Sequence, residues 1–145
     1  MVRIGKLTDY ALVITNHLVA TANQLCTIDE IGQATHIPLA TNRKLLKKLV
    51  DAGIVSSFRG SRGGYKLSKP ANSISVADVI NAVEGPISLT ECATKKSACK
   101  ISQSCSLKEN WRFLNNFFLQ NLQKISLYDM SQNQLKQSLD LDSIV

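Results

Sequence analysis

Three of the four cysteines, Cys92, Cys99 and Cys105, lie in one short polar segment with a C-x6-C-x5-C spacing. A cysteine that only fills a hydrophobic core is normally found in an apolar periodic segment, and almost nothing apolar separates these thiols. Thiolates gathered on such a loop suit an iron–sulfur cluster, a zinc ion or thiol redox chemistry. Metal sites of this kind usually take four ligands, so the segment supplies one ligand fewer than a complete site needs.

The length and composition restrict the class of protein. A chain of 145 residues forms one domain with a core, or one small domain with an attached helix. Because there is no run of eighteen apolar residues, no membrane-spanning helix is expected. Lys6 and Asp9 fall where a signal peptide needs its apolar stretch, which favours a cytoplasmic protein. Thiols stay reduced in the cytoplasm, so a permanent disulfide framework is the poorer interpretation of the cysteines.

The excess positive charge lies in the N-terminal half. Residues 1–70 hold ten Lys and Arg against four Asp and Glu, whereas residues 71–145 hold seven of each, which together give the net charge of +6. Between residues 39 and 69 a single acid, Asp51, accompanies Arg43, Lys44, Lys47, Lys48, Arg59, Arg62, Lys66 and Lys69. Such a surface attracts a polyanion, usually nucleic acid, and an ordinary solvated face is the alternative.

Hydrophobic periodicity predicts two helices before residue 36. The first runs from about residue 8 to residue 22. Thr27 followed by Glu30 has the form of a capping box, which predicts a second, short helix from Ile28. The residues expected to face the core are Leu7, Tyr10, Ala11, Ile14 and Leu18 in the first helix, and Ile31 and Ala34 in the second.

A third helix is predicted between Pro38, which suits a first turn, and Gly53, which suits a C-terminal stop. Its sequence divides into a core side, with Leu39, Leu45, Leu46 and Leu49, and an outer side, with Thr41, Arg43, Lys44, Lys47 and Lys48. Two helices joined by a short turn, the second strongly basic, predict a helix-turn-helix whose second helix enters the major groove of DNA.

Two strand-like runs, residues 54–58 and 65–67, flank a glycine-rich tip with two arginines. A helix-turn-helix followed by a β-hairpin is a winged helix, so the predicted fold class is mainly α with a small β-hairpin wing. Glycines let the backbone approach DNA closely and arginines supply charge, although a plain turn needing positive φ also explains the glycines. The predicted DNA contacts are Thr41, Arg43, Lys44, Lys47, Arg59, Gly60, Arg62, Gly63 and Gly64.

The C-terminal half predicts a short helix, the cysteine segment and a long helix. Ser75 and Asp78 can cap a helix that carries Val76, Val79, Ile80 and Val83 on one face and ends at Gly85. The long helix, from about residue 107 to residue 125, carries Trp111, Phe113, Leu114, Phe117, Phe118, Leu122 and Ile125, and Ser126 opens a last short turn. So wide an apolar face needs a partner surface, and self-association as a homodimer is favoured over packing within one chain.

These motifs resemble the Rrf-two (Rrf2) family of bacterial winged-helix transcriptional regulators, which includes IscR and NsrR. The similarity lies in residues 3–11, the basic third helix, the wing and the three loop cysteines, and it covers about residues 1–131. The segment 84–92 is most similar to the subgroup that regulates the SUF iron–sulfur assembly operon. The resemblance implies a dimeric DNA-binding repressor of these genes, with the long helices crossing at the dimer interface.

The resemblance also implies a 2Fe–2S or 4Fe–4S cluster, held by Cys92, Cys99 and Cys105, whose state controls DNA binding. The fourth ligand stays open. IscR-like members have a histidine where this chain has Lys108. NsrR-like members use an aspartate of the partner subunit, a position that Asp9 matches, and Glu109 is a nearer candidate.

Two further positions, Cys26 and Arg43, bear on the comparison with this family. Cys26 lies far from the trio in sequence and is expected to be a structural or idle thiol. IscR-like members place a glutamate in the recognition helix where this chain has Arg43. This difference favours stronger phosphate binding and argues against a cluster-dependent switch between two operator types.

The predicted organisation is a DNA-binding domain over residues 1–85, a cluster-binding loop over 86–106, a dimerisation helix over 107–131 and a flexible tail over 132–145. Two alternatives keep DNA binding: a cluster-free thiol redox switch, and a module with a structural zinc site. A thiol oxidoreductase would need a C-x-x-C pair. The sequence has neither that pair nor a phosphate loop, a nucleophile elbow or paired catalytic carboxylates, so no enzyme and no small-molecule substrate are expected.

Overall fold

The computed structural model describes residues 4–22, 24–93, 99–101, 103–132 and 135, with the backbone alone at Cys92. The helices are α1 (Lys6–Ala20), α2 (Ile28–Thr35), α3 (Leu39–Asp51), α4 (Val76–Glu84), α5 (Lys108–Lys124) and α6 (Leu127–Ser131). The strands are β1 (Val55–Phe58) and β2 (Gly64–Leu67), and short 3-10 turns cover Ala71–Ser73 and Glu91–Ala93. The predicted fold class, mainly α with a small β-hairpin, is confirmed.

Capping boxes fix the starts of α2, α4 and α6. In α2 the backbone N–H of Thr27 donates to Glu30 at 2.7 Å, and the N–H of Glu30 donates back to the Thr27 hydroxyl at 3.2 Å. Ser75 with Asp78, and Ser126 with Asp129, form the same arrangement. The backbone N–H of Thr27, and then its hydroxyl, lower the pKa of Glu30. The stabilisation from this charged carboxylate is therefore present above its ordinary pKa and is lost as the pH falls through the lowered value.

The core lies where α1, α3 and α4 pack together, with α2, α6 and the hairpin around them. The positions confirmed as buried include Ala11, Ile14, Leu18, Ile31, Leu45, Leu46, Leu49, Val76, Val79, Ile80 and Val83. Gly53, predicted to stop α3, has a φ of +73°. That left-handed conformation favours glycine, which accounts for the residue at the end of the helix.

Three residues expected in the core lie at the surface. Leu7 and Leu39 are 37% and 40% exposed, and Ala34 is also exposed. Each occupies the first or last turn of its helix. In α1 the buried position of the first turn belongs instead to Thr8, which is fully buried.

The hairpin pairs Val55 with Leu67 at its base and Phe58 with Gly64 at its outer end. A further strand-like contact extends it, because Cys26 exchanges backbone hydrogen bonds with Tyr65 at 2.9 and 2.8 Å. The Cys26 thiol is buried and donates to the Thr21 hydroxyl at 3.3 Å. Cys26 is therefore a structural residue that attaches the wing to the connection between α1 and α2.

Gly64 is buried against this contact, which makes it sensitive to substitution. A Cβ at position 64 would lie 2.8 Å from the carbonyl oxygen of Cys26 and 3.0 Å from its carbonyl carbon. Because this backbone cannot move without disturbing the Cys26–Tyr65 bridge, Gly64→Ala is expected to lower the free energy of unfolding by about 1–3 kcal/mol. Urea unfolding measures the change.

Gly32→Ala is the matched control for that experiment. A Cβ at position 32 would meet its nearest neighbour, the Asn42 amide nitrogen, at 3.4 Å. Gly32 also lies inside α2, where alanine is favoured over glycine. The control is expected to leave stability unchanged or slightly raised, and an equally stable Gly64→Ala variant would contradict the prediction.

Polar contacts connect the C-terminal end of α4 to two other helices. The Glu84 carboxylate accepts from the backbone N–H of Gly5, at 3.0 Å, and from the hydroxyl of Thr8. Lys48 of α3 donates its ammonium to the carbonyl of Val83 at 2.6 Å. Lys48 was expected on the outer side of α3, and this contact corrects that expectation: its ammonium satisfies a carbonyl at the end of α4.

Two further contacts attach α5 to the rest of the chain. Near its middle, the buried Asn115 side chain accepts the backbone N–H of Leu89 at 2.9 Å, which fixes the segment leading to the cysteines. At its end, Val76 N–H donates to Ile125 at 2.9 Å and Leu127 N–H donates to Ile74 at 2.8 Å. Helix α5 is thus held near its middle and at its C-terminal end, and it also packs on α4 and on the turn Glu91–Ala93.

Candidate nucleic-acid interface and cysteine segment

The outer face of α3 presents positive charge, because the leucines of the helix are buried on its inner face and the basic residues remain on the outer one. Arg43, Lys44 and Lys47 are exposed and Thr41 is half-buried. Lys47 forms an ion pair with Asp51 at 2.8 Å, with both side chains largely exposed. An exposed pair of this kind is weak, so a phosphate can replace Asp51 as the partner of Lys47.

The turn between α2 and α3 sets how α3 is presented. His36 has a φ of +56°, and Ile37 after it is buried. The fully buried Asn42 donates its amide to the Ile37 carbonyl at 3.0 Å. Asn42 was not singled out from the sequence, although its spacing of three and four residues from the buried Leu45 and Leu46 places it on the core side of α3 and could have indicated it.

The wing tip carries its charge at the surface. Arg59, Gly60 and Arg62 are exposed, and the tip turn is closed by a hydrogen bond from Gly63 N–H to the Gly60 carbonyl at 3.0 Å. Gly60 has a φ of +108°, and a Cβ at Gly63 would clash with the Phe58 carbonyl oxygen. Turn geometry and packing therefore account for the glycines at 60, 63 and 64, and the two arginines carry the expectation of DNA contact.

The helix-turn-helix and the wing form one packed unit. Strand β1 packs against α3, and β2 packs against α1. The contact between α3 and the end of α4 through Lys48 belongs to the same unit. Helix α3 and the wing therefore keep a fixed position relative to each other, and a polyanion can bind both at once.

The structure describes only part of the cysteine segment. The backbone of Cys92 lies in the turn Glu91–Ala93, next to α5, and its side chain is outside the described residues. Cys99 and Cys105 are half-buried, free thiols, and Cys105 lies just before α5. Residues 94–98 and 102 are also outside the described part. The convergence of the three thiols on one site stays a prediction.

The two candidate fourth ligands are both exposed carboxylates in first turns. Asp9, in α1, lines an open cavity of about 220 Å³ together with Leu12, Val13, Leu127 and Met130. Glu109, in α5, pairs with Arg112 at 3.1 Å. Within the described ranges, no three His, Cys, Asp or Glu side chains come together as metal ligands.

Helix α5 exposes a row of large apolar side chains. Their exposed fractions are 38% for Trp111, 69% for Phe113, 46% for Leu114, 49% for Phe117 and 38% for Phe118. Single exposed hydrophobic residues are ordinary, but five on one helix form an extended patch of the kind that marks an interaction surface. In the part of the chain that the structure describes, no helix combines the length and apolar character needed to cross a membrane.

Comparison with known proteins gives consistent matches over nearly the whole chain. The sequence profile of the Rrf2 family, described as an iron-dependent transcriptional regulator, matches residues 4–133. Protein aau3 of Rhizobium meliloti (strain 1021) is 31% identical over 129 residues, which cover 88% of this chain and 84% of that protein.

Solved structures share the fold. CymR (YrzC), the global cysteine regulator of B. subtilis, is similar with a TM-score of 0.72 at 24% identity, covering 92% of this chain and 99% of that one. T. potens IscR is similar with a TM-score of 0.67 at 21% identity, covering 91% and 88% of the two chains. At these identities the structural likeness speaks for the fold alone.

Proposed function

Because this chain belongs to the Rrf2 family of transcriptional regulators, whose members bind DNA as dimers and are not enzymes, we propose that it is a repressor of SUF iron–sulfur assembly genes. In this proposal an iron–sulfur cluster reports cluster supply or oxidative and nitrosative stress. The observation that carries the proposal is the cysteine segment itself, placed between the winged helix and the exposed apolar face of α5.

Each segment of the chain has its own proposed role. Residues 1–85 bind DNA, residues 86–106 hold the cluster, residues 107–131 form the dimer interface and residues 132–145 form a tail. The exposed charges of Arg43, Lys44, Arg59 and Arg62 support the first assignment. The apolar face of α5 supports the third, because burial against a second copy removes it from water.

The chemistry of the donor set fits an iron–sulfur cluster. Cys99 and Cys105 are free thiols in a polar setting, and thiolates are the usual ligands of such clusters. We assign Cys92, Cys99 and Cys105 as ligands, with Asp9 of the partner subunit or Glu109 as the fourth. When bound, a cluster with one oxygen ligand supplies reactivity toward oxygen and nitric oxide, since that ligand holds iron less firmly than a thiolate.

The chain's own contacts suggest how the cysteine segment acts on the recognition helix. The segment begins beside Glu84, which holds α1, and beside Val83, which holds Lys48 of α3. It is then attached to α5 through Leu89 and Asn115. Ordering or release of this segment acts on the end of α4, to which the recognition helix is bonded, and on the helix assigned to the dimer interface.

Anaerobic purification with a visible spectrum and iron and sulfide analysis tests the cofactor. We expect a brown protein with matched iron and sulfide that bleaches in air. A colourless protein that stays iron-free after reconstitution contradicts the cluster and leaves a thiol redox switch. Colourless protein with bound zinc indicates instead the structural zinc site.

Operator binding tests the regulatory part of the proposal. The apo and cluster-loaded forms are titrated anaerobically, at one salt concentration, against a duplex from the promoter of the SUF genes. The loaded and apo forms are expected to differ in affinity by about 5- to 150-fold, the usual range of coupling between two sites. Equal affinities would contradict sensing even if the cluster is present.

A further inference from the structure

The wing carries a large aromatic side chain that the core does not use. Phe58 is the last residue of β1, directly before Arg59, and it is 44% exposed. Side chains alternate between the two faces of a strand, so Phe58 lies with Ser56 on the face opposite the buried Val55. On that outer face Ser56 bonds only across the hairpin, to the Ser68 hydroxyl at 2.9 Å.

The surroundings of the ring are cationic. The Lys66 ammonium lies over the Phe58 ring, 5.1 Å from its centroid. Gly64 is directly opposite Phe58 in the register and has no side chain to cover the ring. From residue 54 to residue 69 the sequence has four basic residues and no acid.

An exposed aromatic ring among basic side chains suits a nucleic-acid partner better than a protein partner. Aromatic rings pack on bases and sugars, whereas lysine and arginine bind the phosphates beside them. A protein that binds this surface would need acidic groups around an apolar pocket. DNA needs no such special surface, and the wing of a DNA-binding protein already lies next to it.

We propose that Phe58 is a DNA contact of this protein. Together with the Lys66 side chain it forms an apolar wedge against the sugars and base edges of bound DNA, while Arg59 and Arg62 bind the neighbouring phosphates. The inference rests on the DNA binding of the family and is independent of the iron–sulfur cluster.

The test measures affinity and salt dependence together. The probe is a fluorescein-labelled 30-base-pair duplex that the parental protein selects from a random-sequence library, and fluorescence anisotropy gives the Kd over a range of NaCl concentrations. Phe58→Ala is expected to weaken binding by about 5-fold or more, the low end of the contribution of an aromatic ring stacked on a base. The slope of log affinity against log salt should stay unchanged, because no charge is removed.

Two variants serve as controls. Arg62→Gln is expected to weaken binding and to reduce the salt slope by about one, as for the loss of one phosphate contact. Phe58→Leu keeps an apolar side chain and should retain most of the affinity. Urea unfolding of each variant checks the fold, and Phe58→Gln repeats the measurement if the alanine variant does not fold.

A second readout locates the contact on the DNA. Selected duplexes with 2-aminopurine at successive positions should show a change in fluorescence at the wing contact with parental protein and none with Phe58→Ala. An unchanged Kd for Phe58→Ala would overturn the proposal. A weaker Kd with a reduced salt slope would also overturn it, because the ring would then act only by positioning Lys66 or the arginines.

Discussion

Replacing Phe113 and Phe117 together with serine is expected to turn the proposed dimer into a monomer and to weaken operator binding by about 100-fold or more, because a monomer reaches only one of two half-sites. Both rings are exposed in the single chain, at 69% and 49%. Burying a phenylalanine side chain contributes about 1.5–3 kcal/mol, and a two-fold interface counts each substitution twice. Because only the exposed part of each ring can be newly buried, the loss comes to about 4–7 kcal/mol for four rings, which is roughly a third to a half of the free energy of a nanomolar dimer.

Sedimentation velocity gives the oligomeric state, and anisotropy with the selected duplex gives the affinity. Phe113→Leu with Phe117→Leu is the matched control, since it keeps an apolar face and should remain dimeric. Circular dichroism checks that the serine variant stays helical. A folded serine variant that is still a dimer would place the interface elsewhere than on α5.

Serine at any one of Cys92, Cys99 and Cys105 is expected to lower iron after anaerobic reconstitution to about a tenth of the parental content or less, because a cluster of this kind needs its thiolates. Cys26→Ala is the control. Its thiol is buried and bonded to Thr21, away from the polar segment in sequence, so iron content should stay parental. Iron retained by all three serine variants would contradict the assigned ligands.

The same assay separates the two candidate fourth ligands. Asp9→Asn and Glu109→Gln each remove one carboxylate charge without changing the size of the side chain. The variant that removes the true ligand should lose its cluster faster in air than the other variant, since one oxygen ligand is lost while three thiolates remain. If the cluster in both variants is as stable in air as it is in the parental protein, neither carboxylate is the ligand.

The parts of the fold that were predicted correctly depend on contacts between residues close in sequence. Thr27 and Glu30, or Ser75 and Asp78, are three residues apart and their capping boxes are complete within one turn. Gly53 ends α3 by its own backbone conformation. Signals of this range can be read from the sequence because the physical cause lies inside the same short window.

The parts that were missed depend on residues that are far apart. Gly5 and Glu84 are 79 positions apart, Lys48 and Val83 are 35 apart, and Leu89 and Asn115 are 26 apart. Helical periodicity indicated which side of α3 is apolar, but it could not indicate that the end of α4 lies beside Lys48. For the same reason the spacing of the three cysteines suggests a shared site without giving its fourth ligand.

The attachment of the wing through Cys26 and Tyr65 has a consequence for how operator preference can diverge. The hairpin is held near its outer end by this bridge, and at its base by the hydrogen bond from Ser68 N–H to the Ile54 carbonyl, at 2.9 Å. Residues 59–63 lie beyond the last strand pair, Phe58 and Gly64. Doubling the length of such a loop costs only about 0.6 kcal/mol of closure entropy. In the proposed complex with DNA, residues 59–63 therefore form a loop whose length and sequence can change, by gene duplication or by engineering, to alter the preferred operator while the folded scaffold stays the same.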